Sequence, residues 1–198
     1  MNIQSLRRFL GIVLAVAACF GVASRAGAGE KVQPIERFAA VAVNMSGVGR
    51  ASAGTVDLVI ERWSTDEERE QLRSALIESG SDKLLSTLQK IKPRCGFMQI
   101  PGQLGWDIQY AREIKTATGR QVILGTDRHV GFGEAARNTR SSEYEFTLVD
   151  IRFGADGKGV GKLALSTKIT YNKDTRTIEI ENYGREPVRL TEVRSEKP

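Results

Sequence analysis

Histidine and cysteine are nearly absent from this chain of 198 residues, which holds one histidine, His129, and two cysteines, Cys19 and Cys95. A zinc site of the usual kind draws on several imidazoles or thiolates, so a histidine-built metal centre is excluded. The motifs of the common enzyme classes are missing too: there is no nucleophile elbow, paired metal-binding histidine motif or calcium loop. Long apolar runs are confined to the first residues. Beyond residue 23 no stretch approaches the ~20 apolar residues needed to cross a bilayer as a helix.

That first apolar run has the grammar of an export signal. Arg7 and Arg8 precede an apolar stretch from Phe9 to Ala23, and Ala26 and Ala28 form a small-x-small pair before Gly29. A charged start, a short hydrophobic centre and small residues at a cleavage point are what a signal peptidase accepts. Residues 1–28 therefore read as a signal peptide, and the product as periplasmic or secreted. Val16-Ala17-Ala18-Cys19 offers a second route, a lipobox that would leave a lipid anchor on Cys19. Plain secretion fits better, because the chain stays apolar after Cys19 where a lipoprotein usually turns polar.

Cleavage changes what the composition means. The segment carries three of the 29 basic residues and none of the 24 acidic ones. The remaining chain is close to neutral, without the concentrated positive charge that marks a nucleic-acid surface. Cys95 is left as a lone thiol, so no intramolecular disulfide forms. A buried, unreactive cysteine is the expectation.

Residues 29–35 read as a flexible lead and residues 36–198 as a single β-rich domain. Val56, Leu58 and Ile60 alternate with Thr55, Asp57 and Glu61, the period of two that marks a half-buried strand. Similar patterns predict strands near 36–45, 55–63, 94–100, 105–115, 119–127, 143–153, 160–171, 175–182 and 187–195. The connections are mostly too short for parallel crossovers. The fold class is α+β, mainly antiparallel β: a meander or barrel-like sheet of about 8–9 strands. Between them the period shifts. Thr65-Asp66-Glu67-Glu68 is a capping box, Gly80 supplies a stop, and apolar stripes predict a two-helix insertion near 66–91. Those helices should lie against the sheet, at one end or on an outer face.

Candidate sites are few. In TDRHVGFGEAARN, residues 126–138, Asp127 and His129 stand two apart, so on a strand they point the same way. A carboxylate orienting an imidazole is half of a catalytic dyad, with Ser141, Ser142 or Cys95 as the possible nucleophile. Asp127, His129 and Glu134 together form an alternative set of metal ligands. Against both stands a plain loop opened by Gly131 and Gly133. Trp106, Tyr110 and Phe132, with Trp63 and Tyr144 near strand ends, are candidates to line an apolar pocket. The charged residues of 176–197 alternate with Ile178 and Ile180 and read as a solvated face. Gly157-Lys158-Gly159-Val160-Gly161-Lys162 lacks the first glycine and the hydroxyl residue of a phosphate loop, so it reads as a hairpin turn.

The stretches TVDLVIERWSTDEERE, LGWDIQYARE, SSEYEFTLVDIRF and IENYGREPVRLTEVR resemble an uncharacterised group of exported bacterial proteins of acidobacterial type. The resemblance covers most of the chain after residue 28. It implies bacterial origin and export, and no activity or active-site residue. The expectation is a non-enzymatic envelope or extracellular domain, without cofactor, that binds a small apolar molecule or an envelope component. The alternative is a hydrolase-like or metal-assisted enzyme using Asp127 and His129. Mass spectrometry of the exported protein should find a chain beginning at Gly29; a lipidated Cys19 at the terminus would refute plain secretion.

Overall fold

Alternating apolar residues build strands, and here they build a single sheet whose two faces carry different cores. The computed structural model describes residues 33–44, 52–102, 105–128, 146–182 and 187–197. Among them are ten strands and one helix: β1 (Glu36–Asn44), β2 (Ser52–Ile60), α1 (Asp66–Leu88), β3 (Gly96–Gln99), β4 (Trp106–Ile108), β5 (Tyr110–Thr116), β6 (Gly119–Thr126), β7 (Phe146–Phe153), β8 (Gly159–Asn172), β9 (Thr177–Asn182) and β10 (Val188–Glu196). None of the described helices is long and apolar enough to cross a membrane.

Every pairing is antiparallel, as the short connections require. The strands run β4-β3-β2-β1-β10-β8-β7-β6-β5, with β9 paired to β8. A simple meander is therefore corrected. Two meanders, β1 to β4 and β5 to β8, are joined by β10, which pairs with both β1 and β8. The long strand β8 makes this possible. Its Thr167 pairs with Phe146 of β7 on one edge and Asn182 of β9 on the other. Farther along, Leu163 pairs with Val188 of β10, so β9 and β10 share that second edge.

The strand expected over 105–115 is two strands. Gln109 separates β4 from β5, and its N–H donates to Gly125 O (3.0 Å). β4 pairs with β3, whereas β5 pairs with β6. These are the two ends of the order, eight steps or about 38 Å apart if the sheet were flat, at ~4.8 Å per step. One residue cannot span that distance, so the sheet coils until its ends meet at Gln109. The hydrogen-bonded path itself stays open. β4 and β5 are successive pieces of one strand-like stretch and do not pair with each other, so the sheet is open.

The concave side holds the main core, drawn from every strand except β9. Phe38, Leu58, Ile60, Met98, Ile108, Leu124, Ile151, Leu163 and Leu190 are all fully buried there. The coil's interior is thus filled with side chains. An ion pair locks its rim. Arg120 of β6 donates to both carboxylate oxygens of Glu36 on β1 and to Glu113 of β5 (2.7 Å). Ser195 of β10 donates to Glu36 as well. The guanidinium lies 4.7 Å from the Phe153 ring centroid and 5.7 Å from that of Phe38, stacked as cation–π pairs stack. β1 and β6 are separated by β10, β8 and β7, so this contact exists only because the sheet is coiled.

The helix has its predicted start. Thr65 Oγ1 accepts from Glu68 N–H (3.2 Å) and Glu68 Oε2 accepts from Thr65 N–H (3.0 Å). α1 is interrupted where the stop was expected, at Gly80, whose φ of 80° and ψ of −165° are non-helical and separate two helical segments. It ends at Leu88 rather than Ile91. The glycine run before Lys162 is a turn followed by packing. Gly157 adopts φ 74° in the turn, and a Cβ on Gly161 would sit 2.8 Å from Asp150 O.

Two predictions follow from the rim. Arg120→Ala leaves the Glu36 carboxylate buried without its cation, and should cost about 3–5 kcal/mol of unfolding free energy in urea. A loss below about 1 kcal/mol would show that the coil does not need the pair. Burial alone pushes the Glu36 carboxyl up, but the hydrogen bonds from Arg120 and Ser195 outweigh it and hold it below the usual range. Its contribution is therefore complete above the ordinary glutamate value of about 4.3 and is lost as pH falls through the lower folded value. Acid titration of the unfolding free energy should show that loss in the wild type and a flatter profile in Glu36→Gln.

Candidate functional site

The opposite face of the same strands carries a second, smaller cluster. On β6, Val122 and Leu124 enter the main core while Ile123 and Gly125 face the other way. There α1 lies across the sheet. Its Leu72, Leu76, Leu84 and Leu88 are buried with Phe146, and Tyr110, Ile169 and Tyr171 pack beside them. The apolar stripe expected on the helices therefore docks on an outer face of the sheet, as one of the two placements allowed for it.

The fit is incomplete, and a groove of about 330 Å³ remains between helix and sheet. One wall is the leucine stripe of α1, and the floor is Tyr110, Ile123, Gly125, Phe146 and Leu148. The other wall is the β8–β9 hairpin, through Ile169, Ile178 and Ile180. Among the described residues, β8 past Thr167 pairs with β9 alone. Two of the hairpin's isoleucines are open: Ile178 is 52% exposed and Ile180 58%. Arg69 and Arg73 stand on the rim. Burial pushes the Tyr110 hydroxyl up, so at neutral pH the floor presents a neutral phenol and no charge.

Tyr110 is the expected pocket residue that belongs to this groove. Trp106 does not join it, and packs against the main core together with Trp63. On one unbroken strand over 105–115 the two would share a face, but the Gln109 junction shifts the alternation by one residue. Ile108 and Ala111 both enter the main core, which turns Tyr110 outward. Phe132 and Tyr144 lie outside the described residues, as do His129, Glu134, Ser141, Ser142 and Cys19. Asp127 is described. Its carboxylate is mostly buried, 3.5 Å from Arg128 Nε, and Oδ1 has no hydrogen bond among the described residues. Of the proposed metal set only Asp127 can be placed, and the described residues contain no cluster of three potential ligands.

Cys95 is no nucleophile in this setting. It is fully buried in the main core, and its Sγ donates to Gln109 O (3.2 Å) and shares a hydrogen bond with Ser64 Oγ (3.3 Å). Burial pushes the thiol up, which keeps it protonated, and the thiolate is the reactive form.

Sequence reasoning missed most of the groove. The uninterrupted run Val122-Ile123-Leu124 was a usable signal, because strands covered on both faces lose their alternation. Ile178 and Ile180 gave a weaker one. They lie on a face read as solvated, and in the structure they remain solvent-exposed while forming the groove's lip. No family model, curated protein or solved structure matches this chain. A thiol reagent should leave Cys95 unmodified in the native protein and label it only beyond the unfolding midpoint; rapid native labelling would contradict the buried hydrogen-bonded thiol.

Proposed function

We propose that this is an exported, non-enzymatic binding domain that holds a small, elongated apolar molecule between α1 and the outer face of the sheet. The observation that carries the reading is the groove itself, an apolar trough flanked by two half-exposed isoleucines on the β8–β9 hairpin. Ligand sites are concave and mostly apolar, with few polar groups at fixed points, and isoleucines left open beside such a trough mark an interaction surface. The export segment and the resemblance to exported bacterial proteins support a location outside the cytoplasm. The meeting of the sheet's ends at Gln109 supports a barrel-like reading of the coil. Its filled interior directs the ligand to the outer face. The volume suits roughly ten methylenes, taking each as about the ~30 Å³ that a water occupies in the liquid.

Titration with N-phenyl-1-naphthylamine, an uncharged apolar fluorophore, should give saturable one-to-one binding. Ile178→Asp with Ile180→Asp should weaken it at least tenfold while leaving the unfolding midpoint unchanged, since both side chains are exposed. His129→Ala should change neither binding nor folding. Absence of saturable binding to the wild type would falsify the groove as a ligand site.

A further inference from the structure

Charge at the rim narrows the ligand class. α1 begins with Asp66, Glu67 and Glu68, yet two of these are paired with arginines that do not line the groove. Asp66 pairs with Arg112 (2.9 Å) and Glu68 with Arg62 (2.9 Å). On the groove side, Arg69 and Arg73 share the single carboxylate of Glu70: Arg69 Nη2 lies 2.8 Å from Oε1, and Arg73 Nε 2.7 Å from Oε2. Two cations on one anion leave a positive charge over, and each pairing uses one nitrogen of a guanidinium that carries five N–H donors. Arg69, Leu72, Arg73 and Leu76 stand at i, i+3, i+4 and i+7, so cations and leucines share one helical stripe. The donors that remain are at the end of an apolar trough with no opposing acid among its lining residues.

We propose that the groove takes a single-chain anionic amphiphile, a long-chain carboxylate, with its alkyl tail between the leucines of α1 and Ile169, Ile178 and Ile180, and its head on Arg69 and Arg73. The assignment rests on the groove being a ligand site and adds the polarity of the ligand. A guanidinium fork matches a carboxylate in geometry as well as sign, and no covalent step is involved.

Displacement of bound N-phenyl-1-naphthylamine tests it, with dodecanoate, methyl dodecanoate and dodecylammonium as competitors below their aggregation limits. Dodecanoate should compete at least tenfold better than the ester, and dodecylammonium worst. In Arg69→Gln/Arg73→Gln, both exposed side chains, dodecanoate should fall to the level of the ester while the ester is unchanged. Glu70→Gln, which releases both guanidiniums, should strengthen dodecanoate binding severalfold. If acid and ester compete equally, the head-group assignment fails and the apolar groove stands. If the fluorophore itself does not bind, the groove reading fails and this one with it. Capture by phosphatidylglycerol vesicles without competition from dodecanoate would overturn it in favour of a membrane surface.

Discussion

The single residue between β4 and β5 is the constraint on which the rest of this molecule depends. β4 is tied to β3 and β5 to β6, so the chain through Gln109 holds together the two ends of a nine-strand path. A sheet twists by its own steric preferences, but twist alone does not bring its ends within one residue of each other. The coil that results creates an inside, and the filled core occupies it. It also places Glu36 within reach of Arg120. The junction carries a local cost: the buried Gln109 Oε1 finds no hydrogen-bond partner among the described residues, and such an omission costs about 1–3 kcal/mol. Nearby hydrogen bonds offset it, with Ser64 Oγ accepting from Ala111 N–H (3.0 Å) and Cys95 N–H donating to Ile108 O (2.8 Å).

The same junction creates the outer groove. By moving the alternation on by one residue it turns Tyr110 to the face where Ile123 and Gly125 already point. That gives β5 and β6 a second apolar surface, which α1 covers only in part. The other wall follows from the length of β8. Among the described residues, β8 runs on past its last pair with β7, at Thr167, and carries β9 along that end as a hairpin. A helix laid on a coiled sheet beside such a hairpin meets it along the leucine stripe and leaves a trough between them. Core, rim and groove are thus consequences of one chain path.

Glycine placement shows how closely the strands approach. At Gly159 a Cβ would fall 2.6 Å from the Phe153 ring, and at Gly161 2.8 Å from Asp150 O. These positions lie where β7, β8 and β10 run side by side, under the aromatic ring that Arg120 stacks upon. The segment that imitates a phosphate loop is therefore occupied with strand packing. Its one turn glycine, Gly157, serves the hairpin.

Much was legible in the residues alone, because it depends on neighbours in the chain. The capping box at Thr65, the break at Gly80, the strand periods, the antiparallel sense and the hairpin at Gly157 are local, and the structure contains each. So is the burial expected of Cys95. Tertiary structure decided what depends on distant pairing. Insertion of β10 between β1 and β8, the division of the 105–115 strand at Gln109 and the choice of face for α1 come from contacts between residues tens of positions apart. No period in the sequence records them. Tyr110 reached the groove while Trp106 went to the core for that reason: alternation predicts which side chains share a face only until a bend adds one residue. The stretch around His129 had only the rarity of histidine to recommend it. The groove was hidden in ordinary leucines and isoleucines, whose apolar character announces burial but not which partner leaves them partly uncovered.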